Sequence, residues 1–211
     1  MPREMIESRS AYRHNAAPSC IAAFVYPAIL DVLRRHGCRR VLDIGCGNGT
    51  LCRVLSDAGH SVVGIEPSAS GVEAARAAAP GGTFCEMGVY DDPGQLPEAD
   101  FDAAVSTDVV EHLFAPAALP QFAAAKLKPG GLLVLSTPYH GYLKNLVLSL
   151  CNAWDRHHTP LWDGGHIKFW SRPTLTALLE ANGFRVIEFH GVGRLPFVWK
   201  GMVLAARRVA G

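Results

Sequence analysis

The stretch VLDIGCGNGT, residues 41–50, decides how the rest of the chain is read. A short apolar run, Val41, Leu42, Asp43 and Ile44, leads into glycines at alternate positions, Gly45, Gly47 and Gly49, and a helix-compatible segment follows at once. This is the pattern of a strand, a tight turn and a helix start. Glycine is needed where the backbone takes positive φ, or where a ligand must lie against main-chain atoms with no Cβ between them. The turn is therefore read as a cradle.

Outward from the turn, strand-like and helix-like segments alternate, the signature of a mostly parallel sheet with helices on both faces. Strands are expected at 39–44, 61–65, 83–88, 101–107 and 132–136, with helices at 50–58, 67–79 and from 109 to 127. The KPGG stretch, residues 128–131, reads as a turn before the fifth strand. Residues 142–154 read as one apolar helix, and 173–182 as another. Two final strands, 184–191 and 198–207, form an antiparallel hairpin that closes the sheet. The fold class is α/β: a doubly wound, Rossmann-like sheet of seven strands, mostly parallel, with an antiparallel last strand.

The length of 211 residues suits one domain. Its parts are a helical N-terminal lid (1–37), a cofactor-binding half (38–138), a substrate-cap insert (139–172) and a closing helix and hairpin (173–211). Tyr12 and His14 either face inward from the lid or belong to a fraying terminus. Twenty Lys and Arg stand against 19 Asp and Glu, a formal net charge of +1. Nothing in that balance suggests a nucleic-acid partner. No apolar run approaches a membrane span, the N-terminus has no secretory pattern, and the six cysteines form no CxxC pair. A cytoplasmic address with reduced thiols follows as the expectation.

Ligands of open α/β sheets bind beyond the carboxyl ends of the strands. Asp43, Cys46 in the glycine turn, Glu66, the Tyr90, Asp91 and Asp92 run, and Thr107 with Asp108 all fall at strand ends. The glycines read GxGxG; a dinucleotide fingerprint would need glycine at Thr50. Glu66, 17 residues after Gly49, suits a pair of ribose hydroxyls. A nucleoside without a diphosphate fits better than a dinucleotide.

DIGCGNG, the acidic end of GIEPS, TDVVEHL and LKPGGLLVLSTP together resemble the class I S-adenosylmethionine-dependent methyltransferases over residues 41–138. HIKFWSRPTLTALLEANGF resembles the later part of the small-molecule branch that includes ubiquinone-type O-methyltransferases. The resemblance implies S-adenosylmethionine as cofactor, with its methionine end along Asp43, Gly45, Cys46, Gly47 and Gly49. It implies Glu66 on the ribose, Pro67 and Ser68 beside the adenosine, Tyr90 and Asp91 flanking the adenine, and Thr107 and Asp108 facing the methionine portion. Several family members have a longer or differently charged segment at 89–92.

The activity implied is methyl transfer to an oxygen, or a nitrogen, of a small molecule. An NAD(P)-dependent oxidoreductase and a non-catalytic cofactor-binding protein are the alternatives. Such a displacement needs proximity and alignment, plus a base where the acceptor must lose a proton. His166 and His140 are the candidate bases; His166 reads equally as a loop-fixing residue and His140 as a cap. His112 and Glu111 read as structural. Asp155, His157, His158, Asp163 and His166 match no metal-ligand spacing, and no metal is expected. The 142–154 helix, with Lys144 as its one cation, reads as a cap over the site or as a homodimer contact, and stable membrane insertion is not expected.

Overall fold

The computed structural model describes residues 22–209; Tyr12, His14 and Cys20 lie outside them. Seven strands form one sheet in the order β3-β2-β1-β4-β5-β7-β6. They are β1 (Arg40–Ile44), β2 (Ser61–Glu66), β3 (Thr83–Glu86), β4 (Phe101–Thr107), β5 (Leu127–Pro138), β6 (Phe184–Val192) and β7 (Gly201–Arg208). β1 to β5 pair in parallel, while β7 runs antiparallel to both β5 and β6. The mostly parallel sheet and the antiparallel last strand agree with the sequence reading.

Helices cover both faces because the central strands are apolar on both. α1 (Ala22–Arg35), α2 (Thr50–Asp57) and α3 (Ala69–Ala78) lie on one face, where Ile29, Leu33, Leu55 and Val72 pack against Val41, Val105, Val134 and Val203. α4 (Ala118–Lys126) and α7 (Arg172–Glu180) lie on the other, where Leu119, Phe122, Leu175 and Leu179 meet Leu42, Leu133, Leu135 and Leu204. Successive residues of one strand thus feed opposite cores, as the twofold period of a strand requires. At the amino end of β1, Asp102 Oδ2 accepts from the Arg39 and Arg40 amides at 2.8 and 2.9 Å, fastening β1 to β4.

Three segments depart from the expected boundaries. The helix expected over 109–127 is a short 3-10 turn, Val110–His112, and then α4; Pro116 disfavours the helical conformation at the residue before it. The 128–131 turn is a bulge inside β5, where pairing jumps from Phe101 with Leu127 to Ala103 with Leu132 and Gly130 takes φ 73°. The single helix expected over 142–154 is two: α5 (Tyr142–Leu150) and α6 (Trp154–His158), separated at Asn152, whose φ is 48°.

α5 also turns out reversed in polarity. Lys144 is its one buried residue, with Nζ 3.4 Å from the Lys200 carbonyl, while Tyr142 and Leu150 are exposed. Among the described residues, no helix is long and apolar enough to cross a membrane.

Candidate active site

The strand order reverses between β1 and β4, so the crevice beyond their carboxyl ends is where a ligand fits. The glycine turn forms its floor. Gly45, Gly47 and Gly49 have φ of 76°, 54° and 75°, all in the left-handed region. Two of them are also places of close approach. A Cβ on Gly45 would stand 2.6 Å from Val109 Cγ2, and one on Gly49 would stand 2.6 Å from Ala75 Cα in α3. The amides of Gly45 and Cys46 both donate to the Ile65 carbonyl, at 2.8 and 3.0 Å, which ties the turn to β2.

Glu66 closes one side. Its carboxylate accepts from the Gly47 amide at 3.1 Å and the Ser68 amide at 3.0 Å, so the last residue of β2 braces the turn and the start of α3 together. Asp43 lies below the turn, fully buried. Its Oδ2 accepts from the Cys52 thiol at 3.2 Å, and its Oδ1 has no hydrogen-bond partner among the described residues. Burial, and then Glu66, push the Asp43 carboxyl up to about 7, with the Cys52 thiol acting the other way. A buried carboxylate oxygen with no donor is costly unless a ligand supplies one.

The other wall comes from the ends of β4 and β5. Thr107 ends β4, paired with Ser136. Asp108 follows it at φ 54°, its amide on the Ser136 carbonyl at 3.1 Å, and burial raises its carboxyl to about 6. Glu111 is buried beside it. The Thr137 hydroxyl donates to Glu111 Oε2 at 3.0 Å, whereas Oε1 has no hydrogen-bond partner among the described residues and lies 4.0 Å from His166 Nε2. Burial, and then the charge of Asp108, hold the Glu111 carboxyl well above the usual range.

Beyond β3, Asp91 accepts from the Gly88 amide at 2.7 Å, and Pro67 lies against Gly88, where a Cβ would come within 3.4 Å. The Tyr90 ring is half exposed and its hydroxyl accepts from the Ala115 amide at 3.1 Å, so this residue also clasps the loop before α4.

The candidate bases lie in the segment above the crevice, in separate groups. His166 meets His112 with ring centroids 4.9 Å apart and Trp162 at 5.8 Å. The amides of Ile167 and Lys168 both donate to the Glu111 carbonyl at 3.0 Å, which fixes this irregular segment over the end of β4. His140, just beyond β5, gives its amide to the Trp170 carbonyl at 2.9 Å and stacks on His158 at 5.4 Å, with His157 at 5.9 Å and Phe169 at 5.1 Å. Burial lowers His140 to about 3 and His166 to about 4; Lys144 is the next cause at His140, and His112 at His166. Two trios bring one ligand atom each within 4.8 Å of one another: Glu111, His112 and His166, and His140, His157 and His158. Asp155 and Asp163 join neither trio.

Sequence reasoning passed over three residues that the fold brings here. Glu111 read as structural, yet it is the buried carboxylate nearest His166. Tyr26 of α1 is pushed up to about 12 by burial and then by Asp43 and Asp108, which places its phenol at the same crevice. Lys144 read only as the one cation of the 142–154 helix and is buried. An acidic residue three positions after Asp108 was a visible signal for Glu111; Tyr26 had none, since its helix pattern is that of any amphipathic segment.

A groove at the opposite, amino end of the sheet, lined by Leu30, Cys38 and His60 among others, holds none of these groups.

A family model described as "Methyltransferase domain" matches residues 12–189. The chain is 36% identical over 168 residues to a ubiquinone biosynthesis O-methyltransferase of Bradyrhizobium sp. (strain ORS 278), covering 75% of this chain and 63% of the relative. It is 33% identical over 167 residues to the enzyme of that name from Nitrobacter winogradskyi, covering 75% and 61%. The chain therefore spans somewhat under two thirds of the length of these relatives. Its fold is that of a solved S-adenosylmethionine-dependent methyltransferase from Mesorhizobium loti, at TM-score 0.68 and 23% identity over 86% of this chain and 96% of the other. It is also that of the 1,6-didemethyltoxoflavin-N1-methyltransferase of Burkholderia thailandensis with S-adenosylhomocysteine bound, at TM-score 0.66 and 20% identity over 98% and 86%.

Proposed function

Because the chain belongs to the methyltransferase-domain family, we propose that it binds S-adenosylmethionine in the crevice between β1 and β4 and transfers its methyl group to an oxygen of a small molecule. The observation that carries the cofactor reading is the Asp43 Oδ1 atom, buried beneath the glycine turn without a donor, where the cofactor's methionine end would supply one. Gly45 and Gly47 keep Cβ atoms away from that end. Glu66 takes the ribose, Pro67 and Asp91 border the adenosine with Tyr90, and Thr107 and Asp108 face the methionine portion. S-adenosylmethionine supplies an activated methyl group on sulfonium sulfur; the protein's work is alignment, exclusion of water and handling of one proton.

The oxygen acceptor is supported by the two O-methyltransferase relatives and by His166. The ring of His166, uncharged because of its burial, accepts the hydroxyl proton. Glu111 Oε1, 4.0 Å away, then faces the imidazolium that results. The 139–172 segment caps the acceptor, with Trp162 and Phe169 as apolar wall. An oxidoreductase reading is not favoured, since Thr50 stands where a dinucleotide turn needs glycine and opens α2.

Calorimetric titration with S-adenosylmethionine and, separately, NAD tests the cofactor. Binding of the first alone is expected, and binding of NAD alone overturns the proposal. Formation of S-adenosylhomocysteine with a panel of phenols, carboxylic acids and amines then tests the acceptor, and turnover confined to amines overturns the oxygen assignment.

A further inference from the structure

We infer that His140, His157 and His158 form a binding site for one divalent transition-metal cation of the zinc class, joining α6 to the end of β5. One nitrogen from each ring lies within 4.8 Å of the other two. Imidazole nitrogens around a tetrahedral zinc ion, at about 2.0–2.1 Å from the metal, stand about 3.3 Å apart. Closing that difference asks only for ring rotations and a small shift of α6, a five-residue helix held between two left-handed residues, Asn152 and Thr159.

A second observation points to a ligand here. His158 Nε2 is buried and has no hydrogen-bond partner among the described residues. Buried polar atoms are nearly always satisfied, and a cation satisfies an imidazole nitrogen as well as a donor does. An aromatic shell already orients the rings: Trp154 lies 4.2 Å and Phe169 4.9 Å from His158, and the same Phe169 packs edge-on to His140. The His140 backbone is held by the Trp170 carbonyl. Such outer contacts keep metal-bound histidines in place. His157 is exposed and supplies the way in.

Three neutral imidazoles without a carboxylate select a borderline cation over magnesium or calcium, which require oxygen. The charge of Lys144 acts against the site and weakens it, although its ammonium is turned to the Lys200 carbonyl. The Glu111, His112 and His166 trio is less suited, because the His112 ring is engaged by the backbone of Gly164 and Gly165. The inference gives His140 a ligand's role and leaves proton transfer to His166; it does not depend on which acceptor is methylated.

The test is titration of the intact, chelator-treated protein with Co²⁺, followed by its visible absorption, and displacement with Zn²⁺. One equivalent of tetrahedral Co²⁺ is expected, with binding weakened on the order of tenfold or more in His157→Ala and in His158→Ala, and restored in His157→Cys. The remote His190→Ala protein should bind as the parent does. Thermal melting of each variant without metal identifies any that do not fold, and the exposed His157 keeps the test valid if His158→Ala is among them. Absence of saturable binding overturns the inference. So does loss of binding in His166→Ala with His157→Ala unaffected, which would place the cation on the other trio. Methyl transfer can fail with either result intact, so the two proposals fall separately.

Discussion

The Cys52 thiol of α2 donates to Asp43 Oδ2 at 3.2 Å, so the first helix after the glycine turn holds the carboxylate buried under that turn. Removing the donor leaves a second carboxylate oxygen unsatisfied. Cys52→Ala should cost about 1–3 kcal/mol, and it should raise the Asp43 pKa further. Urea unfolding at pH 7 and at pH 5 measures both effects: the loss should be larger at pH 7, where more of Asp43 is charged. Equal losses at the two pH values would refute the carboxylate account.

Glu66 carries a different load, since it braces the Gly47 amide and, in the proposed complex, the ribose. Glu66→Ala should weaken S-adenosylmethionine binding by about 1–3 kcal/mol through lost charged hydrogen bonds. Glu66→Gln, which keeps acceptor and shape but not charge, should fall between parent and Ala. Calorimetry reads the series; an unchanged affinity in Glu66→Ala would remove this residue from the cofactor site.

Gly49 answers to packing as much as to ligand access. A methyl there would stand 2.6 Å from Ala75 Cα and must also adopt φ 75°. Gly49→Ala should therefore lower stability by more than about 1 kcal/mol and weaken cofactor binding, because α3 must shift. Gly81→Ala, where a Cβ meets nothing within 4 Å, is the control and should change neither. Chemical denaturation separates the two glycines.

His166 should show the signature of a base. His166→Ala is expected to leave S-adenosylmethionine affinity as it is and to lower turnover roughly 10²–10⁴-fold, the range for a positioned acid or base. The alternative, a histidine that only fixes the loop, predicts a raised KM and a mobile 139–172 segment with kcat nearly kept. Steady-state kinetics with the acceptor distinguishes them.

Far from the crevice, the Glu188 carboxylate accepts from Arg35 at 2.6 and 2.8 Å, from His36 at 2.8 Å and from His190 at 2.9 Å. The Arg35 guanidinium, ahead of the two imidazoles, holds the Glu188 carboxyl well below its usual 4.5. A depressed folded-state pKa contributes stability that is present above the unfolded value and is lost as pH falls toward the folded one. The parent should lose more stability below pH 4.5 than Glu188→Gln does. Parallel curves of melting temperature against pH would show that the cluster adds nothing.

Much of the fold was legible because its cues are local. An apolar run with glycines at alternate positions is strand, turn and helix wherever it occurs. What misled was equally local. Lys-Pro-Gly-Gly looks like a turn, but β5 can carry it as a bulge because β4 continues alongside. The apolar pattern of 142–154 promised one helix, and the chain instead broke at Asn152 and buried Lys144 against the Lys200 carbonyl.

By itself the sequence determined the sheet and the crevice, since GxGxG at 45–49 and Glu66 at the next strand end bring backbone and carboxylate to one place by short-range geometry. Only the tertiary structure decided that Tyr26, Asp43 and Asp108 share that crevice, that Glu111 faces His166, and that His140 meets His157 and His158. The physical reason is that these groups come from distant elements, and their burial and mutual charge exist only once the sheet and the 139–172 segment have packed. Spacing along the chain carries no record of such encounters.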